Sequence, residues 1–109
     1  MLELDQPQPL YSSLAADPDW CELVLLFVGE MPHRAQALLD QAASGDWAEV
    51  ARMAHQFKGT AGSYGFDQLT PYAIELEAAA REAADEERIR LAVEELVGLC
   101  RLCRAGTPH

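Results

Sequence analysis

The sequence predicts an all-α protein, an antiparallel four-helix bundle with one or two short additional helices at its N-terminal end. Three observations carry this expectation. Apolar residues recur at spacings of three and four along most of the 109 residues. Short stretches holding glycine, aspartate or proline separate the periodic segments, and short connections make neighbouring helices antiparallel. No segment alternates with the period of two that marks a strand.

Each element has its own signals. Residues 1–16, polar at first and carrying Pro7 and Pro9, are expected to form a tail, with a short helical turn around Leu10 to Leu14. The bundle is expected over 17–105, followed by a tail at 106–109. Asp17 can cap a helix that has Pro18 at its first position. Trp20, Val24, Phe27, Met31, Ala35, Leu38 and Ala42 then mark one face. Gly29 and Pro32 interrupt this stretch, which predicts a kink or two helices in line. Ser44-Gly45-Asp46 is a stop followed by a cap. The next helix runs from Trp47 toward Ser63, with Val50, Met53, Ala54, Phe57 and Ala61 inward. Gly65 and Asp67 mark the following turn. The third helix carries Leu69, Ala73, Leu76 and Ala80, with Pro71 in its first turn. The last begins near Asp85, and its seam is Ile89, Val93, Leu96, Cys100 and Cys103.

Composition narrows the function. One domain with one core fits this length, and half the residues are hydrophobic. Eighteen acids against eight bases give a formal charge of −10. That argues against nucleic-acid binding, which needs a basic surface, and against docking to anionic lipid. The longest apolar run, Leu23 to Val28, is too short to span a membrane, and no basic residue precedes an apolar stretch at the start as in a signal peptide. Three cysteines in a chain with a good core suggest a reducing compartment, so a cytoplasmic location is expected.

One constellation carries chemistry. Residues 54 to 66 spell A-H-Q-F-K-G-T-A-G-S-Y-G-F. On an ideal helix His55 points about 135° away from the apolar face. Its neighbours at three and four positions are Ala51, Arg52, Lys58 and Gly59, and Gly62 continues the stripe. Small residues leave the ring accessible to another protein's active site and let a partner backbone come close. Gly59 and Gly62 each cost a helix about 1 kcal/mol against alanine, so they need a reason. Lys58 is the only lysine; the other seven bases are arginine. Its flexible ammonium can reach a phosphoryl oxygen on the imidazole, and Arg52 can add field. No acid lies between Val50 and Phe66, so the locality suits an anion. Neutral imidazole is a nucleophile near physiological pH, and phosphoryl transfer asks chiefly for in-line geometry and charge neutralisation.

This segment resembles the signature of histidine-containing phosphotransfer (HPt) domains, H-x-x-K-G-x-x-G-x-x-G. His55, Lys58, Gly59, Gly62 and Gly65 match it position by position, and helix order extends the similarity over roughly residues 17–105. The resemblance implies a four-helix bundle with one or two short extra helices. It implies His55 as the phosphoryl acceptor and Lys58 as the supporting cation, and the stripe of Ala51, Arg52, Gly59 and Gly62 around His55 is the expected docking surface. Leu76-Glu77 matches a Leu-Glu pair on the next helix of many members; in similar domains of chemotaxis kinases that glutamate bonds the histidine, so Glu77 would orient the ring. The expected function is a monomeric phosphocarrier, exchanging a phosphoryl group between His55 and aspartates of response-regulator receiver domains. Its partners would include a sensor or hybrid histidine kinase. Alternatives are the substrate domain of a larger histidine kinase and a helical interaction module without phosphate chemistry. No phosphate-binding loop or kinase motif is present, so no enzyme activity of its own is expected. No cofactor is expected in this chain; magnesium would belong to the receiver.

The remaining candidates favour structural roles. Cys100 and Cys103 form a C-x-x-C on the apolar seam, where core packing outweighs redox or zinc chemistry. Zinc needs four ligands, with only Cys21 and His109 to add. His33 has no partner pattern. Asp85-Glu86-Glu87 suits a helix start, and Trp20 and Trp47 suit the core or a staple.

Overall fold

The computed structural model describes residues 8–82 and 85–107. The first seven residues of the expected tail and His109 lie outside these. Four helices account for most of the chain: α1 (Cys21–Ser44), α2 (Trp47–Ser63), α3 (Thr70–Arg81) and α4 (Glu86–Cys100). Each packs on its neighbours in sequence, and α4 closes the ring against α1.

The helix boundaries follow from local chemistry. Asp17 starts a turn, accepting from Asp19 N at 2.8 Å through its side chain and from Trp20 N and Cys21 N through its carbonyl. The first helix proper therefore begins three residues after Pro18. Gly45, at φ 77°, ends α1, and Asp46 caps α2 by accepting from Glu49 N at 3.1 Å. Asp85 caps α4 through Glu87 N in the same way. A 3-10 turn at Asp67–Leu69 leads into α3, with Pro71 in the first turn.

Burial matches the predicted faces closely. Val24, Phe27, Met31, Ala35, Leu38 and Ala42 of α1 are all buried, as are Val50, Ala54, Phe57 and Ala61 of α2. Trp20, Met53 and Trp47 are half-buried. Of the two expected outcomes, two helices in line do not occur: α1 is one helix of 24 residues with Pro32 inside it. Proline there removes one backbone bond, a cost of about 3 kcal/mol. Buried residues on both sides of Pro32 hold the helix on the core and offset that loss.

The N-terminal segment corrects a second expectation. Leu10–Tyr11 is not a helical turn but a two-residue strand, β1. It pairs in parallel with β2 (Cys103–Arg104), beyond the end of α4. Leu10 N donates to Leu102 O at 2.8 Å. Ser12 to Ala15 then fold over the end of α2. Ser12 Oγ donates to Tyr64 O at 2.5 Å, and Ser13 N donates to Gly65 O at 3.0 Å. Ala15 and Ser12 are buried. These tertiary hydrogen bonds replace the intrahelical bonds that the isolated segment would have made. Cys103 correspondingly leaves the α4 seam and lies in β2.

Gly65 joins the end of α2 to the N-terminal strap. Phe66 N reaches Ala61 O and Gly65 N reaches Gly62 O, a six-to-one and five-to-two closure around a left-handed glycine. Gly65 has φ 82°. A Cβ there would press on Ser12 Oγ and lie 2.9 Å from Ser13 Oγ and 3.0 Å from Leu14 N. Gly59 differs, since a Cβ there meets nothing within 4 Å. Gly65→Ala is therefore expected to lose about 2 kcal/mol or more, from the left-handed backbone and the displaced strap. Gly59→Ala should gain up to about 1 kcal/mol. Urea unfolding of both variants beside the wild type checks the pair; equal losses would contradict this account.

Candidate functional site

The site stands on α2 and the facing side of α3. His55 projects outward with its side chain 60% exposed. The apolar stripe of α2 is buried, so a residue about a third of a turn beyond its edge must face solvent. The ring is nonetheless held. Its Nδ1 lies 3.1 Å from Glu77 Oε2 on α3, and the Glu77 side chain is only 13% exposed.

Glu77 is the hub. Its Oε1 accepts from Lys58 Nζ at 3.2 Å, and its Oε2 accepts from Arg81 Nε at 2.8 Å. The hydrogen bond from Arg81, then Lys58 and His55, holds its carboxyl well below the usual carboxylate range, at about 2, against the opposing effect of burial. An ionised carboxylate has no proton to give. Nδ1 of His55 must therefore carry the hydrogen, which leaves the Nε2 lone pair free. Two cations and one anion surround the ring's inner edge, so the locality keeps a positive balance.

The sequence-predicted residues fare differently. His55, Lys58 and Glu77 are brought together. Gly59 and Gly62 are exposed, with open space above both. Arg52 is exposed but engaged by Glu49, with Nε 2.8 Å from Oε1. Ala51 is not on the surface: it is 3% exposed and belongs to the core. The helix α2 packs on both α1 and α3, so its buried sector is wider than one stripe and takes in Ala51. Its side chain is thus unavailable for docking.

An open groove adjoins His55. Gly59, Thr60 and Tyr64 form part of it, with Trp20, Leu23 and Arg34 from the first helical segment. Tyr64 stacks on Phe27 at 4.7 Å and meets Trp20 edge-on at 6.3 Å. Sequence reasoning missed Arg34 and Arg81. Arg81 had a signal, because a base four residues after Glu77 on a helix makes a pair.

The C-x-x-C is structural. Cys100 and Cys103 are buried, and burial pushes their thiols up to about 12 and about 11. Thiols so far from ionisation are poor nucleophiles and poor metal ligands. Among the described residues no group of three or more His, Cys, Asp or Glu could hold a metal. None of the described helices is long and apolar enough to cross a membrane.

Comparison with known families adds the decisive observation. The model of the Hpt domain matches residues 22–103, three quarters of the chain. The chain belongs to the Hpt domain family. At the family level this is a phosphotransfer carrier of two-component phosphorelays, whose partners are receiver domains and kinases. Neither the curated proteins nor the solved structures compared with this Hpt domain gave a match.

The depressed Glu77 carboxyl makes a pH prediction. In the unfolded chain it binds its proton near 4.5, and in the fold only near 2. Its stabilising contribution is thus complete above about 4.5 and is lost as pH falls toward 2. Glu77→Gln should be less stable than wild type at neutral pH. The gap in urea midpoint should narrow steadily between about pH 4.5 and about pH 3. A gap that stays constant over that range would show that Glu77 is not ionised in place by its neighbours.

Proposed function

We propose that this Hpt domain is a phosphocarrier that accepts a phosphoryl group on Nε2 of His55 from a receiver aspartate and passes it to another. The observation that carries this is the exposed imidazole whose Nδ1–H is committed to an ionised, shielded carboxylate. The Nε2 lone pair attacks phosphorus of the aspartyl phosphate. The N–P bond forms as the P–O bond breaks, and the aspartate leaves as carboxylate. The ring keeps its Nδ1 proton and becomes cationic, and Glu77 stabilises that charge as an aspartate does in a Ser-His-Asp triad. Lys58 rests on Glu77 beside the ring, and its flexible ammonium turns from there to serve the phosphoryl oxygens. Gly59 and Gly62 leave room for the receiver's loops, with Arg52 at the rim of the surface. Magnesium belongs to the receiver, and the chain works as a monomer without an ATP site of its own.

A second source of phosphate is favoured by the same hydrogen bond. With Nδ1–H held by a carboxylate, Nε2 is left as the open ring nitrogen, which also suits direct phosphorylation by an ATP-dependent kinase domain. Donor profiling separates the two, with phosphorylated receivers in one arm and kinase plus ATP in the other.

His55→Gln is expected to abolish acid-labile, base-stable label while leaving helical circular dichroism unchanged, since the ring lies outside the core. Lys58→Ala should slow transfer by on the order of tenfold to a hundredfold with little loss of receiver binding. Rapid-quench kinetics measures this. Persistent histidine label in His55→Gln would sink the assignment, and an unchanged rate in Lys58→Ala would remove Lys58 from the transfer step.

A further inference from the structure

We propose that Arg34 anchors the partner receiver in the groove beside His55, by pairing with a carboxylate on the receiver's phosphoacceptor face. This rests on the phosphocarrier reading and adds a specificity-determining residue to it.

His55 has two sides. Toward α3 its Nδ1 is taken by Glu77, with Lys58 and Arg81 on the same carboxylate. Toward α1 lies the groove, where Arg34 is the cation that shares the lining with His55. Arg34 is fixed in place. Its guanidinium carbon sits 5.5 Å from the centroid of Phe27, and Phe27 stacks on Tyr64, itself part of the groove. A guanidinium held over an aromatic face loses little further freedom when it binds.

Its hydrogen-bonding capacity is only partly used. Nη2 donates to Glu30 Oε1 at 3.1 Å, while Nε is shielded from solvent and has no partner among the described residues. Nε and Nη2 form one edge of the guanidinium, the edge that grips a carboxylate with two parallel bonds. Glu30 occupies half of it. Glu30 is 61% exposed, and an exposed pair at this spacing contributes little, so an incoming carboxylate displaces it readily. The shielded Nε then gains the acceptor it lacks.

Charge points to the same partner. A chain of net charge −10 repels an acidic receiver face unless local cations offset it. Arg52 is paired with Glu49 and Arg81 with the shielded Glu77, and Lys58, on the same carboxylate, serves the phosphoryl group. Arg34 is paired only with a displaceable surface glutamate. Leu23, 40% exposed, and half-buried Trp20 supply apolar contact along the same groove.

The test uses the full chain and the receiver domain that labels wild-type His55 fastest in a panel of receivers charged with acetyl phosphate. Transfer to wild type, Arg34→Gln, Arg34→Lys and Glu30→Gln is followed over receiver concentration. Labelling by phosphoramidate is measured beside it. Arg34→Gln should raise KM about tenfold or more with kcat changed less than about twofold. Arg34→Lys, which keeps charge but not the fork, should fall between. Glu30→Gln frees the edge and should lower KM about twofold to threefold. Phosphoramidate should label all four equally, because a small donor needs no anchor. An unchanged KM in Arg34→Gln overturns the proposal. Should that variant fail to fold, an unchanged or raised KM in Glu30→Gln overturns it instead. Wild type that takes label from neither source overturns the phosphocarrier reading itself, which a failure at Arg34 alone does not.

Discussion

One carboxylate organises this molecule's chemistry. Glu77 projects from α3 to α2 and receives His55, Lys58 and Arg81 together. A lone exposed histidine would sample both tautomers and several rotamers. A shielded, ionised acceptor at 3.1 Å selects one of each. Which ring nitrogen stays open, the direction it faces and the place of Lys58 are then consequences of where α3 lies against α2. The close packing of alanine-rich faces between these helices, with Ala51, Ala54, Ala73, Ala79 and Ala80 all buried, makes that approach short enough.

The second constraint is at the end of α2. If α2 frayed, His55 would move relative to Glu77, and in the proposed transfer displacements of about 1 Å matter. The helix is closed by Gly65 in a left-handed conformation and covered by Ser12 and Ser13. That strap is itself tethered through β1 to β2 beyond α4. Both ends of the described chain therefore contribute to the rigidity of one helix. The three glycines of the motif thus have different duties. Gly59 and Gly62 keep a surface open, whereas Gly65 permits a turn and a close backbone approach.

Much of this was legible in the residues. Helix order, the caps at Asp46 and Asp85 and nearly every buried position follow from period and local chemistry. His55 stood out because it faced away from the apolar stripe, and Lys58 because it lies one turn on. Ala51 was misplaced because periodicity locates the centre of a buried face but not its width. Width depends on how many helices pack against it, and α2 has two. Leu10 to Leu14 were misplaced because their partners, Leu102, Tyr64 and Gly65, are more than fifty residues away.

The sequence by itself determined the all-α class, the four helical segments, the faces they bury and the identity of the candidate acceptor, since each of these is set by interactions within a few residues. Tertiary structure alone decided three things. It brought Glu77, 22 residues from His55, onto the ring and so fixed which ring nitrogen stays open. It left Arg34 with an unmet donor beside the same ring, 21 positions earlier in the chain. It folded the N-terminal segment into a strap across the end of α2. Each depends on the distance between elements that local propensity does not relate, and packing of the four helices sets those distances.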